Sequence, residues 1–142
     1  MVDDNVRKAQ GDINTPVPPI QPYTNHPIYQ AIAFGPNEMA DLLEADLSGC
    51  LITRWNNVAV DIISKTGGKA NGIKQYIDLV GIKQEETMSF GDDVNDLDML
   101  KFTKLSVAMG NGKDIVKEAA TYTTNDIDED GLFQALKHFN II

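Results

Sequence analysis

Residues 87–100 read TMSFGDDVNDLDML. A short apolar run, Thr87 to Phe90, ends at Gly91, and Asp92-Asp93-Val94-Asn95-Asp96 comes next before an amphipathic helix begins. The stretch therefore reads as a buried strand, a polar turn and a helix. Asp92, Asp93, Asn95, Asp96 and Asp98 crowd the carboxyl end of that strand. In an open α/β sheet this is where ligands sit. Like charges packed this closely call for a positive group among them, and all-oxygen donors suit a hard divalent cation such as Mg2+. Asp92 stands at the strand end and Asp96 in the first helical turn, so these two are the candidate metal ligands. Asp96 there also complements the helix dipole. Capping alone needs one such residue, not a cluster. Asp93 and Asp98 read as solvated.

Outward from this loop the chain changes rhythm twice. After it, short apolar runs alternate with helical spacing: strand Leu105–Met109, helix Asp114–Ala120, strand Tyr122–Thr124, helix Gly131–Phe139. Before it, Lys69–Val80 carries Ile73, Tyr76, Ile77 and Val80 at helical spacing, with Gly81 as its stop. Such alternation implies a parallel α/β sheet. Residues 28–63 read differently, as strand, helix, strand, strand. Ile28–Phe34 is a strand, and Pro36 opens a helix whose apolar face is Met39, Leu42, Leu43 and Leu47. Cys50–Trp55 and Val58–Ile63 form a hairpin around Asn56-Asn57. Residues 14–27 hold five prolines and read as an extended connection, after a helical tail or disordered start. A boundary near 64–67 divides residues 1–65 from residues 66–142.

Lys69 follows Gly67-Gly68 at a helix start, where glycines let backbone approach a ligand and N–H groups favour an anion. With the acidic loop one helix later, it reads as a phosphate-binding corner. Other residues carry bland readings. Cys50 is a lone, small buried apolar residue; His26 and His138 lie on the surface; Tyr29, Phe34 and Trp55 belong to a core or sheet face. The acidic run 126–130 is a solvated loop. Arg54 is open between a structural role and a substrate-facing one.

Bulk properties bound the partners. The chain has 142 residues, 42% hydrophobic and 23% charged, which is one ordinary globular domain's worth of sequence. Its net charge of -9 argues against nucleic acid or an anionic membrane, but not against a phosphorylated small molecule held by a local lysine and a metal. No apolar run approaches the roughly 20 residues of a membrane span. The N-terminus has no signal-peptide core, so a cytoplasmic location is expected.

GDDVNDLDML resembles the fourth motif, GDxxND, of the haloacid dehalogenase-like (HAD) superfamily. TGGKANGI resembles the third-motif lysine region of its Cof-like branch, which carries a type IIB cap. SVAMGNGKDIVKEAATYTT and DEDGLFQAL resemble the segments that lie beyond the fourth motif in that branch. The resemblance implies part of a Rossmann-like parallel core in residues 66–142 and part of an α/β cap in residues 1–65. It implies a Mg2+-dependent phosphatase of sugar phosphates or similar metabolites. Asp92 would then bind the metal, and Asp96 would support it directly or through water. Lys69 would hold the phosphoryl oxygens, and Asn95 would contact the phosphoryl group or Lys69. The superfamily's first motif, DxDxT, which supplies nucleophile and acid/base, is absent from these residues. The expectation is a C-terminal portion without turnover of its own, with an exposed sheet edge at Thr87–Phe90 that favours self-association. The alternatives are a non-catalytic binding or assembly module of the same descent and a phosphosugar mutase relative. The lack of a glycine-rich insertion around the loop disfavours the mutase. A receiver domain is disfavoured because there the lysine follows the acids.

Overall fold

A computed structural model describes residues 3–142, which divide between Gly67 and Gly68 into two compact units. The first unit begins with helix α1 (Asp4–Asp12), capped by the Asp3 carboxylate, which accepts the Asn5 N–H at 2.8 Å. No regular element forms between Ile13 and Tyr29, because proline removes backbone donors and fixes φ through this stretch. Strand β1 (Gln30–Phe34), helix α2 (Glu38–Asp46), strand β2 (Cys50–Asn56) and strand β3 (Ala59–Ser64) come after it. The sheet is antiparallel in the order β1-β3-β2. β3 is therefore central, and its Ala59 and Val60 are fully buried.

Several expectations for this unit shift by a residue or by a face. The hairpin turn falls on Asn57-Val58, with Asn56 still paired to Ala59, because the Asn56 side chain accepts the Val58 N–H and closes a local Asx turn. α2 starts after Pro36, whose carbonyl accepts the Met39 N–H. Its Met39, Leu43 and Leu47 form one line at i, i+4, i+8 and are half-buried, whereas Leu42, off that line, is 66% exposed. Tyr29, expected in a core or sheet face, precedes the first paired residue and lies exposed. Cys50 is a free thiol, half-buried rather than buried. Arg54 donates to the carbonyls of Asn56, Asn57 and Asn37, at 3.1, 3.2 and 3.2 Å. Its guanidinium ties the hairpin turn to the start of α2.

The second unit holds helix α3 (Lys69–Val80), strand β4 (Met88–Gly91), helix α4 (Leu97–Phe102), strand β5 (Leu105–Ala108), helix α5 (Asp114–Ala119), strand β6 (Tyr122–Thr123) and helix α6 (Gly131–His138). The three strands are parallel in the order β4-β5-β6. Gly81 ends α3 in the left-handed conformation with φ 76°, as its position predicts. The core is Leu100, Ala108 and Val116, with Leu97 and Ala120 packed against it. On α3 only Ile77 is buried; Tyr76 and Val80, expected inward, are exposed. β4 pairs with β5 alone, so its other edge has no strand partner among the described residues. Parallel strands put all their carboxyl ends on one side. The β4–α4 loop (92–96) and the β5–α5 turn (109–113) therefore meet there, joined by the Met109 N–H to the Gly91 carbonyl at 2.9 Å. No helix among the described residues is long and apolar enough to cross a membrane.

Candidate functional site

Asp96 is the buried centre of the acidic loop, only 4% exposed. It lies in a 3-10 turn (Val94–Asp96) that precedes α4. One carboxylate oxygen, Oδ2, accepts the backbone N–H groups of Asp92 and Asp93 at 3.0 and 3.3 Å. The other, Oδ1, pairs with the Lys69 ammonium from the start of α3. Burial on its own pushes this carboxyl up, but the Lys69 hydrogen bond and the two amides outweigh it and hold the group below its ordinary 3.8. Gly91 makes room for it: a Cβ on Gly91 would lie 2.6 Å from that of Asp96.

The linkage has a definite sign. A carboxyl whose folded pKa is lowered stabilises the fold fully above its unfolded pKa and loses that contribution as pH falls through the folded value. The stability advantage of wild type over Asp96→Asn is therefore expected to be constant at neutral pH and to shrink from about pH 5 downward. Thermal melts across that range check it; an advantage that grows on acidification would contradict the assignment.

Lys69 is half exposed, and its remaining ammonium donors are open to a ligand. Gly68, which precedes it, has φ 96°, a conformation that favours glycine. The anion found at the start of α3 is Asp98, whose Oδ2 accepts the Ala70 N–H at 3.1 Å. Asp98 is thus a strut between α3 and α4 rather than a freely solvated acid. Asp93, also expected to be solvated, pairs with Lys113. Burial raises its carboxyl, but Lys113 and the Val94 N–H more than compensate and leave it lowered. Neither strut was legible as a pair in the sequence. A lysine directly after a glycine turn at a strand end was the available signal for Lys113.

Asp92 alone of the loop's acids has an exposed side chain without a hydrogen bond or ion pair among the described residues. Asn95 is exposed on the 3-10 turn and makes no side-chain bond to Lys69 or Asp96. The described residues contain no group of three His, Cys, Asp or Glu placed to hold a metal ion. The acidic loop presents one carboxylate without a hydrogen-bond or ion-pair partner among the described residues, Asp92, and its neighbour Asp96 pairs with a lysine that has spare donors. That donor set fits Mg2+, which takes one or two carboxylates and completes its shell with water and substrate phosphate.

Comparison with known proteins places the chain beside phosphatases. The profile of a family described as haloacid dehalogenase-like hydrolase matches residues 12–136. A putative phosphatase of Bacillus subtilis, YkrA, is 33% identical over 120 residues, 84% of this chain and 46% of that protein. The 5-amino-6-(5-phospho-D-ribitylamino)uracil phosphatase YitU of the same organism is 42% identical over 80 residues, 56% of this chain and 30% of that protein. A structure of a HAD-superfamily phosphatase from Bacteroides thetaiotaomicron superposes with a TM-score of 0.89 at 32% identity, covering 100% of this chain and 55% of that one. The chain thus spans about half or less of the length of these relatives.

Proposed function

This chain belongs to the haloacid dehalogenase-like hydrolases, in their Cof-like branch, and from that premise we propose that it carries the metal- and phosphate-binding part of a Mg2+-dependent phosphomonoesterase. The observation that carries the reading is the free Asp92 carboxylate beside the Lys69–Asp96 pair at the carboxyl end of β4. Residues 66–142 are the C-terminal half of the core in this reading, and residues 1–65 part of the cap. The substrate class is a small phosphorylated metabolite, a sugar phosphate or a relative of one. The phosphoribityl compound named for the YitU relative supports that class.

Bound at this site, Mg2+ supplies charge neutralisation to the phosphoryl oxygens. Asp92 gives it an oxygen ligand. Lys69 directs its spare N–H donors at the phosphoryl oxygens, where a fixed cation favours the charge that builds up during transfer. Asp96, with both oxygens hydrogen-bonded, holds Lys69 and the loop backbone, and from there it would support the metal. Asn95 contacts the phosphoryl group from the 3-10 turn. The nucleophile and acid/base belong to a DxDxT segment that these 142 residues do not contain. We therefore infer that this polypeptide alone turns over no phosphomonoester.

The test is an aryl phosphate assay with Mg2+, before and after supplying a DxDxT-bearing N-terminal half from a relative. The expected result is no turnover by the chain alone and Mg2+-dependent turnover on complementation. Turnover by the chain alone that survives Asp92→Ala and repurification would sink the reading.

A further inference from the structure

The β5–α5 turn grips the Asp92–Asp93 peptide in a way the proposed chemistry leaves unused. The Lys113 backbone N–H donates to the Asp92 carbonyl at 3.0 Å. The Lys113 ammonium reaches back to Asp93 Oδ1 at 2.5 Å. Gly112 lets the turn lie against the loop, because a Cβ there would sit 3.1 Å from both the Asp92 Cα and its carbonyl oxygen. From the other side Asp96 holds the two amides. The peptide is thus fixed on both edges. Of two adjacent carboxylates, one is neutralised by a lysine and the other is left open.

We propose that Lys113 is a positioning residue that draws Asp93 aside and so selects Asp92, rather than its neighbour, as the carboxylate presented to the cation. The inference rests on the reading of Asp92 as metal ligand. Charge alone predicts the opposite effect for its removal: deleting a cation beside an acidic loop strengthens cation binding. Positioning predicts weaker and misplaced binding, since partners that orient a ligand set metal affinity.

The probe is Mn2+, titrated into the 15N-labelled chain. Electron paramagnetic resonance gives the Kd, and paramagnetic broadening of amide signals gives the location. Wild type is expected to broaden around Asp92. Lys113→Met is expected to raise Kd about tenfold and to spread the broadening over 92–98. Lys113→Arg is expected to stay within about twofold of wild type, because it keeps a cation on Asp93. Lys101→Met removes the same charge from an exposed site on α4 and is expected to leave Kd unchanged or slightly lower. In an Asp93→Asn background, Lys113→Met is expected to change Kd by less than about twofold, because no second carboxylate remains to divert the ion. Lys113→Met binding as tightly as wild type or tighter, with broadening still centred on Asp92, overturns the proposal. Wild-type broadening centred away from Asp92 overturns the metal-site reading and this inference with it. Lys113 is about half exposed, so its variants are expected to fold, which circular dichroism verifies.

Discussion

Asp96→Ala is expected to lower the unfolding free energy of the second unit by about 2–4 kcal/mol, and Asp96→Asn by about 1 kcal/mol. The two magnitudes differ because each change leaves different groups without a partner. Asp96 is 4% exposed, and alanine keeps only its Cβ. The part-buried Asp92 and Asp93 N–H groups then lose their acceptor, at up to the about 1–3 kcal/mol that a fully buried unsatisfied donor costs. Lys69 contributes less to the loss, because a half-exposed ammonium rehydrates. Asparagine keeps one oxygen for the two amides and turns its NH2 toward Lys69, which swings into water. Urea unfolding monitored by circular dichroism, with hydrogen exchange of the β4 and β5 amides to localise the change, checks the prediction. A loss for Asp96→Ala below about 0.5 kcal/mol, the range of ordinary surface substitutions, would show that the loop holds its shape without this carboxylate.

Asp96 also illustrates which parts of the molecule could be read from sequence. Spacing showed that a strand stops at Gly91 and that the acids beyond it sit at the sheet's carboxyl end, because period and glycine placement are local signals. The same holds for the stop at Gly81 and for the alternation that makes the β4-β5-β6 sheet parallel. It did not show that Asp96 faces inward with both oxygens engaged. That depends on the close approach at Gly91 and on a lysine 27 residues away. Asp98 and Asp93 looked equally solvated for the same reason: their partners, Ala70 and Lys113, lie 28 and 20 residues off. Arg54 reaches Asn37 across 17 residues. Periodicity reports a residue's face on its own element and is silent on which distant group meets it. Apolar spacing marks a helix face that can be buried rather than one that is, and Leu42 on α2 and Tyr76 and Val80 on α3 are exposed.

Lys69→Met is expected to weaken Mg2+-dependent binding of inorganic phosphate to the chain by about tenfold or more. In a complemented enzyme it is expected to lower kcat/KM by about 10²–10³. Two effects of the substitution have to be separated. Lys69 is the counterion of Asp96, so its loss also leaves a buried carboxylate without its cation and can loosen the loop. The Asp96→Asn background removes that second effect, because no buried charge remains to be compensated. If Lys69 binds phosphate, Lys69→Met still weakens phosphate binding in the Asp96→Asn background, by less than in wild type because the lysine is no longer held by the carboxylate. If Lys69 serves only to balance Asp96, the substitution does nothing to phosphate affinity once Asp96 is neutral. Lys69→Arg adds a geometric arm: it keeps the charge but replaces a compact ammonium by a wider planar fork, and a partial loss is expected. Isothermal titration with phosphate at saturating Mg2+ reads all of these directly. The Asp96→Asn series decides the matter, since it asks whether the lysine is there for the ligand or for the fold.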